Sequence, residues 1–277
     1  MLLGLRKFTL FRQSQSKTDG FLDFLESLKK LPLANLLAWS DIRQRYRRST
    51  LGPFWITVST AVMITCIGFL FGNLFKSSQK EFLPFVAIGL ILWSFFSTTI
   101  IESCSAFTNA ENIIKQLPLP LFLHIERVIL RNFYIFLHNI ILYPIICILI
   151  SKQVSLIALL AIPGFFLVVL NLTWISMSLA VICTRFRDMT QIVISLLQIV
   201  FYITPIIWMP GLLSEKTSKL VLTPNPFYHL LEVVRAPLMG YSPTFSNWSV
   251  CVTMGLAGTA FSLMIFNSFR KKVSYWL

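Results

Sequence analysis

Six stretches of this chain, each 18 to 30 residues long, contain no Asp, Glu, Lys or Arg: 53–75, 82–101, 133–150, 154–183, 189–213 and 245–269. A helix needs about 20 apolar residues to cross the hydrocarbon core of a bilayer. Barrel strands would instead alternate over segments of about ten residues. In lipid, each backbone polar group must find a partner within the protein, which long apolar helices provide. The stretches are therefore read as six transmembrane helices, over about 53–75, 82–101, 133–150, 154–183, 189–209 and 245–269, with a break or bend at Pro163-Gly164. Composition agrees: 56% of residues are hydrophobic and 13% charged, against roughly 25% charged in soluble chains. An ordinary soluble enzyme, a disordered chain and a disulfide scaffold are excluded. The fold class expected is all-α and polytopic. Residues 1–52 form an amphipathic interface region, 53–270 the transmembrane domain and 271–277 a tail.

The net charge of +13 comes from 24 Lys and Arg against 11 Asp and Glu. These cations border apolar stretches, so the partner they suggest is an anionic lipid surface and not nucleic acid. Ten Lys and Arg precede the first span, and more fall in 102–132, 184–188 and the tail. Only Lys76, Lys80, Lys152, Lys216, Lys219 and Arg235 lie on the other side. The basic side is cytoplasmic, which puts both termini in the cytoplasm. The opening MLLGLRKF is too short an apolar run for a cleavable signal.

Three regions outside the spans carry information. Phe21, Leu22, Leu25 and Leu28 recur at helical spacing up to Pro32. Leu33, Leu36 and Leu37 begin a second stretch that runs into Arg43, Arg45, Arg47 and Arg48. An apolar stripe with a basic face lies in the membrane interface, and Leu51-Gly52-Pro53 permits a sharp turn into the first span. The arginine run is a topology signal, a site for a phosphorylated headgroup, or both, since guanidinium forks bind phosphate oxygens in pairs. A short helix is expected before Pro118 in the cytoplasmic stretch 102–131. Region 205–243 holds six of the 13 prolines, with a short amphipathic helix over 227–239. It is too polar to span and too apolar for a free loop, so it is read as a re-entrant helical hairpin between spans five and six.

Little else suggests chemistry on this chain. Gly72 to Ser77 lacks the second glycine of a phosphate-binding loop. His124, His138 and His229 are scattered, and the five cysteines show no metal-ligand spacing. No metal site, catalytic residue or cofactor is expected. No carboxylate pair sits within the spans, so a proton relay is not expected. Any pump function would need ATP hydrolysed on another subunit. Aromatics are 14% of the chain. Most are lipid-facing or interfacial, and a subset able to slide along sugar rings would be drawn from Trp55, Phe69, Trp93, Phe96, Trp174, Tyr202 and Trp208. Arg185-Phe-Arg-Asp188 is a topology signal or a docking loop.

The segment Arg45-Tyr-Arg-Arg-Ser-Thr-Leu-Gly-Pro-Phe-Trp55 resembles the opening of the first span in type-2 ABC exporter permeases, above all those exporting lipid-linked O-antigen, capsule and teichoic acid. Asn112 to Pro118 is similar to that family's coupling helix, Arg185-Phe-Arg-Asp188 to its next cytoplasmic loop, and Thr204-Pro-Ile-Ile-Trp208 with Asn225-Pro-Phe227 to its extracellular hairpin. The resemblance covers roughly residues 35 to 270. It implies a permease subunit of the bacterial inner membrane that works as a homodimer with two ATPase subunits, on which ATP and Mg bind. The cargo would be a polysaccharide on an undecaprenyl pyrophosphate carrier, O-antigen first. Arg43, Arg45, Arg47, Arg48, Leu51 and Gly52 would then receive the pyrophosphate. Glu111, Asn112, Lys115, Pro118, Arg185, Arg187 and Asp188 would couple to the ATPase, and Pro224, Asn225, Pro226 and Phe227 would form an outer gate. Capsular polysaccharide, teichoic acid, a small hydrophobic drug or lipid as cargo, an enzyme acting on polyprenyl lipids, and a passive scaffold stay open at this point.

Overall fold

The computed structural model describes residues 20–47, 49, 52, 54–75 and 78–277. Among these, all regular structure is helical: α1 Gly20–Lys29, α2 Leu31–Arg45, α3 Phe54–Leu74, α4 Gln79–Cys104, α5 Glu111–Gln116, α6 Phe122–Ile140, α7 Leu142–Leu149, α8 Ala161–Arg185, α9 Met189–Ile203, α10 Glu215–Leu222, α11 Pro226–Met239 and α12 Phe245–Trp276. Five helices are long and apolar enough to cross a membrane: α3, α4, the continuous α6–α7 segment, α8 with the short turn Leu156–Leu160 before it, and α12. The 15 residues of α9 are equally apolar, but at 1.5 Å per residue they reach only about 22 Å, short of a core of about 30 Å.

Several boundaries differ from the charge-free stretches, each for a local reason. The third span begins at Phe122, not at 133, so Glu126, Arg127 and Arg131 lie inside the helix, where all three have polar partners. Pro163 falls in the first turn of α8, where its missing N–H would be unpaired anyway, so it does not interrupt the helix. Helix α9 stops at Ile203 because Thr204, which precedes Pro205, is extended. Helix α12 continues to Trp276, which makes the basic run Arg270, Lys271 and Lys272 helical instead of a free tail.

The centre of the protein is α4. It is apolar all round, and 78% of its apolar window is buried, against 11% for α3; a helix hydrophobic on every face belongs inside. Helices α3, α6 and α8 pack on α4, and α12 lies along α8. Small residues set the close crossings, as expected where helices meet in lipid. A Cβ on Gly164 would lie 2.3 Å from the Val233 carbonyl oxygen of α11, and one on Gly258 would lie 2.2 Å from the Trp174 ring.

Candidate functional site

Helices α1 and α2 turn their large apolar residues outward. Phe21, Leu22, Leu25, Leu28, Leu31, Leu36 and Trp39 are exposed, whereas Asp23, Ser27, Ala34, Ala38 and Ile42 are buried against the protein. This is the burial pattern of an interfacial helix whose apolar stripe is left for lipid. Asp23 is fully buried and its carboxylate accepts from the backbone N–H groups of Leu121 and Phe122 at 3.3 and 3.0 Å. It thereby caps the start of α6 from another element, where a negative charge opposes the helix dipole. Arg270 of α12 pairs with it at 2.7 Å. Burial raises the Asp23 pKa, and Arg270 only partly offsets that.

An ionic hub holds α2 to the transmembrane body. Arg127 and Arg131 stand four apart on one face of α6. Arg127 grips Asp41 with two nitrogens, at 2.8 and 2.5 Å. Arg131 bridges Asp41 at 2.8 Å and Glu102, at the end of α4, at 2.7 Å. Glu102 also accepts from Asn132 at 2.7 Å and from Arg45 at 2.8 Å. Burial pushes Asp41 upward, but the hydrogen bonds and charges of Arg127 and Arg131 outweigh it and hold its pKa below the usual carboxylate range. Trp39 lies edge-on to Tyr134 at 5.5 Å, and the Tyr134 hydroxyl donates to Asn35. Of the arginine run, Arg45 is therefore engaged by Glu102, Arg43 and Arg47 are exposed, and Arg48 lies outside the described residues with Leu51. Gly52 has φ +57°, the left-handed region that favours glycine, and its N–H is held by the Ser49 hydroxyl.

The expected coupling segment begins nine residues after Glu102, beyond a short turn at Thr108–Ala110. Glu111 and Lys115 pair along α5 at 2.5 Å, Asn112 and Pro118 are exposed, and Ile114 is buried in a cluster with Phe266 and Val273 of α12. Arg185, Phe186, Arg187 and Asp188 are all exposed. The Arg185 guanidinium lies 5.0 Å from the Phe186 ring and 5.3 Å from Trp276. The end of α12 thus brings α5 and the 185–188 loop to one end of the molecule.

At the opposite end, Asn225 caps α11: its Oδ1 accepts from Phe227 and Tyr228, while its Nδ2 donates to the buried Thr204 hydroxyl at 2.9 Å. Pro226 occupies the first helical position, where it suits the cap. Pro224 and Pro226 are exposed, and Phe227 is half-buried. His229 is held between Asn247 at 2.8 Å and the Thr223 carbonyl at 2.9 Å. Arg235, 1% exposed, donates to Glu232 and, at 2.5 Å, to the Pro205 carbonyl, with its guanidinium 3.9 Å from the Phe85 ring centre. These bonds pin 223–239 to the turn after α9 and to α4.

The seven singled-out aromatics divide into two groups. Trp93 and Phe96 are buried in the core, with Phe227 at 5.7 and 6.5 Å, so they brace α11. Trp55, Phe69 and Tyr202 are exposed, Trp208 is half-exposed with its N–H donating to the Tyr202 carbonyl, and Trp174 packs over Gly258. The spacing of Glu232 and Arg235, three apart on one helical face, anticipates their pair, whereas Asp23, Asp41, Glu102, Arg127 and Arg131 were not singled out from the sequence. The available signal was the i, i+4 spacing of Arg127 and Arg131, which leaves two cations on one face in need of carboxylates. Among the described residues no cluster of His, Cys, Asp and Glu is arranged to hold a metal.

A multi-pass helical chain, with an interfacial helix pair tied by ion pairs to the apolar helices α4 and α6, is a protein of the membrane. Residues 33–239 match the ABC-2 type transporter family, and the chain belongs to that family. It is 23% identical over 235 residues to an O-antigen export system permease protein RfbA of Klebsiella pneumoniae, covering 83% of this chain and 89% of that one. It is 24% identical over 202 residues to the O-antigen export system permease protein RfbA of Myxococcus xanthus, covering 72% and 77%.

Proposed function

We propose that this chain is the permease subunit of an ABC exporter that moves a lipid-linked polysaccharide, O-antigen in the first instance, across the bacterial inner membrane. Two copies form the pore, and two separate ATPase subunits bind and hydrolyse ATP. The observation that carries the reading is the hub at Glu102. It joins the basic interface helix α2 to the end of α4, at a residue nine before the start of α5, so a push on α5 passes through the short intervening turn to the arginines. The O-antigen export named for the relatives supports the choice of cargo.

In this reading both termini are cytoplasmic, α9 with 204–209 completes a sixth crossing, and 210–239 is a re-entrant hairpin. Arg43, Arg47 and Arg48, beside the Leu51-Gly52 turn, meet the pyrophosphate, while Arg45 holds α2 in place. Glu111, Asn112, Lys115, Pro118 and the 185–188 loop face the ATPase. Trp55, Phe69, Tyr202 and Trp208 lie along the pore formed with the second copy. Asn225 to Phe227 with Pro224 forms the outer gate, braced by Trp93 and Phe96.

The test is reconstitution with the ATPase subunit and measurement of ATP hydrolysis with and without lipid-linked glycan. Stimulation by the glycan, lost when Arg43, Arg47 and Arg48 are changed together to Gln, is the expected result. Normal surface polymer with all three neutralised would overturn the headgroup role. A permease that transports with no ATPase subunit would overturn the whole assignment.

A further inference from the structure

We propose that the groove beneath α1 binds one acyl chain of a cytoplasmic-leaflet phospholipid, with Glu126 holding the lipid's polar end. The cavity, about 440 Å³, lies between α1, α6, α8 and α12. Its wall follows α8 from Phe166 to Met177, a run of about 16 Å at the helical rise. That is about half of a hydrocarbon core of about 30 Å, so the groove is one leaflet deep. Phe21 and Phe166 on its rim are 56% and 71% exposed, which opens it sideways to the bilayer.

Glu126 is the one ionisable residue in this lining. It is 6% exposed, its Oε1 accepts from the Ser27 hydroxyl at 3.1 Å, and its Oε2 is buried with no hydrogen-bond partner. A buried carboxyl oxygen left unpaired is costly, and a hydroxyl or ammonium of a headgroup would satisfy it. Glu126 sits one turn into α6, at the end where α1 crosses, and the apolar wall extends away from it. The groove therefore presents the polarity order of a phospholipid: donor-seeking at the interface, hydrocarbon below. Its length favours a single leaflet-long chain over a polyprenyl tail, which would overrun it.

The test uses the purified full chain, stripped of lipid in detergent and re-supplied with phosphatidylethanolamine carrying brominated acyl chains. Native mass spectrometry counts the retained lipid, and quenching of Trp174, which lines the groove, reports its place by comparison with Trp174→Phe. One lipid per chain is expected, with the Trp174 component quenched. Thr173→Phe, which fills the groove, should abolish retention, and Thr173→Ser should preserve it. Glu126→Leu should weaken retention about fivefold, the loss of one hydrogen bond. Retention unchanged by Thr173→Phe, quenching identical in Trp174→Phe, or residues 1–19 crosslinked into the groove in place of lipid would each overturn the proposal. Neither readout involves export, so its failure leaves the transport assignment standing.

Discussion

Changing Glu102 to Gln should loosen the interface helix α2 from the membrane body. The carboxylate accepts from three residues: Arg45 at 2.8 Å, Arg131 at 2.7 and 3.2 Å, and Asn132 at 2.7 Å. Gln keeps the shape and one acceptor, but it places an amide N–H among guanidiniums, removes the carboxylate that Arg45 pairs with, and leaves Asp41 to serve Arg127 and Arg131. Breaking a fully buried ion pair costs about 3–5 kcal/mol. Glu102 and Arg131 are 20% and 15% exposed, so water recovers part of that, and about 2 kcal/mol is expected. Arg45, 48% exposed, is worth little, and Arg45→Gln alone should cost about 0.5 kcal/mol or less. Thermal unfolding in detergent measures the loss, and a cycle with Arg131→Gln isolates the pair. Amide exchange across 31–45 should rise in Glu102→Gln and rise further when Asp41→Asn is added. Unchanged exchange in the double variant would refute the hub, because those two carboxylates carry every ion pair between α2, α4 and α6 described above.

Three further outcomes follow from other contacts. Gly164→Ala should destabilise by about 1–3 kcal/mol, read as a lower unfolding temperature, because its Cβ would sit 2.3 Å from a backbone oxygen that no rotamer change can move; an unchanged temperature refutes the close crossing of α8 and α11. Arg235→Lys keeps the charge but cannot serve Glu232, the Pro205 carbonyl and the Phe85 face together; a loss of about 2 kcal/mol and faster proteolysis of 205–239 are expected, and wild-type behaviour refutes the pin. Asp41 has a folded pKa below its ordinary value of 3.8. Its contribution is thus fully present above the unfolded value and is lost as the pH falls through the folded one. Stability measured downward from pH 5 should drop more steeply in wild type than in Asp41→Asn, and parallel curves would refute the assignment.

The five long apolar helices were legible because lipid demands a charge-free run, and that demand shows directly in sequence. What was not legible depended on partners distant along the chain. Glu126, Arg127 and Arg131 read as a loop until Asp41, 86 residues before Arg127, is seen to neutralise the two arginines and Ser27 to bond Glu126, and so the third span starts earlier than its charge-free stretch. Arg43, Arg45 and Arg47 look equivalent in sequence, and only the position of Glu102 separates Arg45 from its neighbours. Trp93 and Phe96 could not be told from Trp55 and Phe69 by residue type, because α4 and α3 are both apolar throughout and differ in what surrounds them. The interface helices show the same limit from the other side. Their apolar stripe was plain, but in a membrane that stripe faces outward, and the surface that touches the protein is made of Asp23, Ser27, Ala34 and Ala38. Small and polar residues on the reverse face of an interfacial helix are therefore the attachment signal: Ala34 and Ala38 let the backbone approach, Asp23 supplies a cap to α6, and Ser27 reaches Glu126.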